Sequence, residues 1–75
     1  MVTIKVISER SGKPEKGKDV SLGIDGFLSG GVTKRISTDT NGEAHFDINP
    51  CSGKIWINGS EKFKGKISGR VLIYI

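Results

Sequence analysis

The sequence predicts an all-β domain, an antiparallel sandwich of about seven short strands. Three observations predict it. Apolar residues recur at period two, as in strands with one buried face. Turn dipeptides built on glycine separate these runs at a spacing of about ten residues, which suits a sandwich or a small barrel. Composition opposes helices, because the 75 residues include 11 glycines and 2 prolines but one methionine and one alanine.

Each element follows from its own pattern. Ile4 and Val6 alternate with Thr3 and Lys5, predicting a strand over 2–8. A polar loop, Ser11 to Gly17, leads to 18–25, where Val20, Leu22 and Ile24 alternate with Asp19, Ser21 and Gly23. Val32 and Ile36 share a face over 31–38, and Ala44, Phe46 and Ile48 do so over 43–49. Ile55 and Ile57 flank Trp56 in 53–58, a lysine-rich strand spans 61–67, and Val71, Ile73 and Ile75 mark 70–75. Ser29-Gly30-Gly31, Asn41-Gly42, Asn58-Gly59 and Ser68-Gly69 read as hairpin turns. Asn41-Gly42 is expected to be type I′, which needs positive φ at both central residues. Residues 1–75 form one domain, and no helix is expected.

Size and charge bound the function. A chain this short buries only about 60% of the surface its unfolded form exposes, leaving little room for a deep pocket. Twelve basic against eight acidic residues leave a net charge of +4. A single cysteine excludes an internal disulfide. No window approaches the ~18 apolar residues of a membrane span, so no membrane partner is expected. The expected compartment is the cytoplasm for a full-length protein, or the outside of the cell for a fragment of a longer secreted one.

One longer pattern resembles a known group. Gly12-Lys13-Pro14 with Gly17, Val20 and Leu22 is followed by Thr38-Asp39-Thr40-Asn41-Gly42-Glu43-Ala44 and Phe46. This run resembles the carboxypeptidase regulatory-like and transthyretin-like domains, a bacterial immunoglobulin-like group, over roughly residues 2–58. The resemblance implies a Greek-key sandwich of prealbumin or immunoglobulin-like type. It implies a non-catalytic binding, spacer or adhesion module, and it carries over no catalytic residue.

Catalysis has little to work with. A nucleophile needs a base in reach and a group to orient that base, yet the chain has one His and one Cys. Cys51 reads as an ordinary loop thiol, and no enzyme activity is expected. Glu43, His45 and Asp47 share one strand face, with Asp39 near the same hairpin. Such a row offers oxygen and imidazole donors to a metal, but positions i and i+2 lie about 6–7 Å apart, and a solvated polar face is the simpler expectation. Asp39 to Glu43 lacks calcium-loop spacing. Gly26 to Gly31 lacks the lysine and helix of a phosphate loop. No catalytic, metal or cofactor residue is assigned, and no cofactor is expected.

Basic residues form the other candidate. Lys13, Lys16 and Lys18 crowd the first loop, and Lys62, Lys64 and Lys66 alternate along one strand beside Lys54. With Trp56, Phe63 and Tyr74 as stacking platforms, Lys54, Lys62, Lys64 and Lys66 outline a basic patch for nucleic acid. Lysines on an edge strand also prevent aggregation, and that is the plainer expectation.

Pairing across two-residue turns at Asn58-Gly59 and Ser68-Gly69 puts Trp56, Phe63, Ile67, Leu72 and Tyr74 on one face. The other face then carries Ile55, Ile57, Val71, Ile73 and Ile75 together with the three lysines. A bulge or odd loop flips one strand's parity, or else both faces are covered. The expected function is a non-catalytic protein-interaction or structural module, with Trp56, Phe63, Leu72 and Tyr74 as partner face for a protein or a second copy. The alternative is a small basic nucleic-acid-binding domain.

Overall fold

The computed structural model describes residues 1–25 and 31–75. Seven strands form two sheets, with no helix among the described residues: β1 (Val2–Ile7), β2 (Asp19–Ile24), β3 (Ile36–Ser37), β4 (Glu43–Phe46), β5 (Cys51–Ile57), β6 (Ser60–Ile67) and β7 (Arg70–Tyr74). One sheet has the order β4-β1-β7 and the other β3-β2-β5-β6. Their inner faces supply the core, with Val2, Ile4, Val6, Ala44, Phe46 and Ile73 from the first sheet. Val20, Leu22, Ile55, Ile57 and Ile67 come from the second. The period-two pattern thus becomes two apolar faces pressed together.

The turns behave differently from one another. Asn58 (φ 51°) and Gly59 (φ 84°) both take positive φ, and Ile57 pairs with Ser60, so this two-residue turn joins β5 to β6. At Asn41-Gly42 only the glycine has positive φ (74°), and the Gly42 amide bonds the Asp39 carbonyl at 2.9 Å. The expected type I′ geometry is therefore absent. The turn carries the chain from β3 in one sheet to β4 in the other rather than closing a paired hairpin. Ser68-Gly69 is likewise no hairpin, because β7 leaves β6 and runs parallel to β1, pairing Thr3 with Arg70 through Ile7 with Tyr74. That parallel ladder departs from the wholly antiparallel expectation; the other ladders are antiparallel. Ser29 and Gly30, and most of the Gly26 to Gly31 segment, lie outside the described residues.

Strand β3 is shorter than the expected 31–38. Thr33 Oγ1 accepts the Leu22 amide hydrogen at 2.9 Å, so a side chain takes the place of a backbone carbonyl and the ladder breaks, leaving a single bridge between Gly23 and Val32. The Ser11 to Gly17 loop is tied down by buried Thr38. Its hydroxyl donates to the Glu15 carbonyl at 2.6 Å and accepts from the Lys18 amide at 2.9 Å.

Parity in β6 is set by a bulge. Trp56 pairs with Glu61, but Ile55 pairs with Phe63, leaving Lys62 as the extra residue. Beyond it, Phe63 and Ile67 turn to the core side with Ile55 and Ile57, and Lys64 and Lys66 turn outward.

Candidate functional site

The outer face of β3-β2-β5-β6 is built around Trp56. Ser21, Trp56 and Glu61 lie in register across three strands, as do Gly23, Lys54 and Lys64, and Ser52 pairs with Lys66. Trp56 is half-buried because its six-membered ring sits above Gly23, where any Cβ would overlap Cζ3 and Cη2. Two open hollows flank the indole. One, about 330 Å³, is lined by Ser21, Val32, Thr33, Arg35, Trp56 and Gly59. The other, about 190 Å³, is bounded by Gly23, Asp25, Val32, Lys54 and Trp56 among others. Lys54 Nζ lies 3.5 Å from Glu61 Oε1.

The outer face of β4-β1-β7 has a charged end and an apolar corner. At the charged end His45 Nε2 lies 3.8 Å from Glu43 Oε1 and 3.9 Å from Asp39 Oδ2. Its Nδ1 shares a 2.8 Å hydrogen bond with Thr3 Oγ1. Arg70 Nη2 approaches Glu43 Oε2 at 3.5 Å. Hydrogen bonds from the Glu43 and Asn41 amides to Asp39 Oδ1 (3.0 and 2.8 Å), the Glu43 one foremost, hold the Asp39 carboxyl below its ordinary value, with His45 and Lys5 adding to them and desolvation opposing them. The cluster combines the donor types of a metal site, but the Arg70 guanidinium already serves Glu43. Chemically it is a solvated polar network around one ion pair, Arg70 with Glu43. At the apolar corner Leu72 and Tyr74 are 46% and 56% exposed, and Tyr74 pairs with Ile7.

The structure does not bring the four expected partner-face residues together. Trp56 faces out from one sheet, Phe63 packs against the core, and Leu72 and Tyr74 face out from the other sheet. The cause is the pair of features above: the bulge inverts Phe63, and β7 changes sheet. Within the basic patch, Lys54 and Lys64 are cross-strand neighbours and Lys66 follows two positions on, whereas Lys62 occupies the bulge. Asp39 replaces Asp47 as the third member of the acidic row with Glu43 and His45.

Cys51 is not a loop thiol. It opens β5 opposite Ile67, half-buried, and desolvation pushes its pKa up, with Asp25 adding to the effect. His45 stands in the other sheet, so the pair does not form a nucleophile and base. Sequence reasoning missed Arg35, Val32 and Gly23 as neighbours of Trp56. Only the glycine left a signal, as a residue without a side chain inside a strand. No protein family, curated protein or solved structure matches the chain.

Proposed function

We propose that this chain is a non-catalytic interaction module that self-associates through β7. The observation that carries the reading is the exposure of Leu72 and Tyr74 on a strand with a partner, β1, on one side only among the described residues. Unpaired backbone on an edge strand invites another strand. Antiparallel pairing of two β7 strands about a two-fold axis at Leu72 places Leu72 opposite its counterpart and Arg70 opposite the other copy's Tyr74. The sheet then continues through six strands, β4-β1-β7 and its symmetry mate. A buried tyrosine contributes about 150–250 Å², and an arginine beside it adds a cation–π contact. An interface of one short strand falls below the 1,200–2,000 Å² of stable complexes, so affinity is weak, on the order of micromolar or weaker.

A non-catalytic role is supported by side-chain chemistry: His45 is engaged by Thr3 and two carboxylates, and the Cys51 thiol is disfavoured as a thiolate. The Greek-key, transthyretin-like assignment belongs to this same reading. It is supported by strands that alternate irregularly between the two sheets, and by Pro14 and Gly42 lying together at the Val6 end of β1.

Sedimentation tests the proposal. Wild type should move from monomer toward twice that mass as concentration rises to the order of 100 μM, while Tyr74→Lys should remain a folded monomer. A wild type that stays monomeric throughout overturns self-association.

A further inference from the structure

The chain places its single tryptophan outward, although a thin sandwich gains most from burying its largest side chain. Space for the indole depends on Gly23, and a hollow opens on each side, one reaching Arg35 and the other Lys54. Around it lies a charge arrangement that costs stability. Lys54 and Lys64 stand directly opposite each other, and like charges in that position repel. Lys66 extends the row by about 6–7 Å. Glu61 offsets Lys54 at 3.5 Å, and Asp25 borders the second hollow. Lys64, Lys66 and Arg35 are absent from the ion pairs found among the described residues.

We infer that the outer face of β3-β2-β5-β6 binds single-stranded nucleic acid, with a base stacked on Trp56 and phosphates held by Arg35, Lys54, Lys64 and Lys66. An aromatic platform beside a cationic track is the combination that sequence-tolerant single-strand binding uses. A base fills a hollow next to the indole while its phosphates relieve the lysine repulsion. An acidic protein segment satisfies the lysines and leaves the indole without a planar partner. The face lies on the sheet opposite β7, so the inference stands apart from self-association.

The test uses the intact chain and a fluorescently labelled twelve-nucleotide thymidine strand, followed by anisotropy and by Trp56 emission. Binding at ~20 mM salt should quench Trp56. With three or four phosphate contacts it should weaken about 100-fold or more by ~200 mM, since the single-strand slope is about −0.7 per contact. Lys64→Gln with Lys66→Gln should flatten that slope by about 1.4. Trp56→Ala, checked for folding by circular dichroism, should weaken binding by about 5- to 150-fold. Trp56→Phe keeps a ring and should weaken it less. Tyr74→Lys should bind as wild type. Absence of binding at low salt overturns the inference, as does an unchanged slope in the lysine variant. Equally tight capture of a polyglutamate peptide overturns it in favour of an acidic protein partner.

Discussion

At the scale of single residues, Gly23 and Trp56 act as one unit. The indole occupies the volume that a side chain at position 23 would fill. Gly23→Ala should therefore push Trp56 off the sheet, costing about 1–3 kcal/mol as overpacking does. Urea unfolding measures the loss, and a red-shifted Trp56 emission identifies its origin. Asp39 is the second such position. Backbone amides from Glu43 and Asn41 lower its folded-state pKa beneath the ordinary 3.8. A depressed carboxyl stabilises the fold above its unfolded pKa, and that contribution fades as pH falls through the folded value. Melting temperature should accordingly drop on acidification below about pH 4, and Asp39→Asn should shrink that drop. An unchanged acid profile in the variant would show that the turn hydrogen bonds leave the titration alone. Zinc at millimolar concentration should leave the melting temperature where it is. A rise would show that Asp39, Glu43 and His45 hold the ion, because a native-state ligand must stabilise.

At the scale of elements, Lys62 decides which side of β6 faces the core. Its side chain is exposed, so Lys62→Ala should change stability by no more than about 0.5 kcal/mol. Deleting Lys62 closes the bulge and leaves Trp56 opposite Glu61 and Ile55 opposite Phe63 in a regular ladder. Phe63 and Ile67 therefore keep the core side, and Lys64 and Lys66 the outer one. The deletion should still unfold cooperatively by circular dichroism; a deletion that loses cooperativity would show that the bulge itself, and not only the face it sets, is needed for the fold. The Asn58-Gly59 turn was legible in the sequence, because both residues tolerate positive φ and the run on each side alternates. At Asn41-Gly42 the same dipeptide meant something different. Asp39 captures two amides there, which suits a turn with positive φ at Gly42 alone. A dipeptide reports the φ values available to it, and the neighbouring hydrogen bonds choose among them.

At the scale of the whole molecule, the core is thin and each member matters. Ile4 is fully buried in the central strand of its sheet. Ile4→Ala should cost about 2–5 kcal/mol, a large part of the 5–15 kcal/mol typical of a domain. Equilibrium denaturation should show the variant folded in water but with a much lower transition midpoint. A loss below about 1 kcal/mol would mean that the two sheets do not share one cooperative core.

What the sequence determined by itself was local: strand character, the positions of the turns, and an inner face for β1, β2 and β4. These rest on period-two burial and on φ preferences, which are properties of short stretches of chain. Only the tertiary structure decided that β7 joins β1, that Lys62 bulges, and that Trp56 and Tyr74 face outward from opposite sheets. Strand pairing is a contest between distant segments of similar apolar pattern, and one extra residue reverses a face at no visible cost in composition. Ser68-Gly69 fits a hairpin and a sheet-to-sheet crossing equally well as a dipeptide. The crossing wins because β1 offers β7 a full ladder from Thr3 to Ile7 and places Ile73 in the shared core.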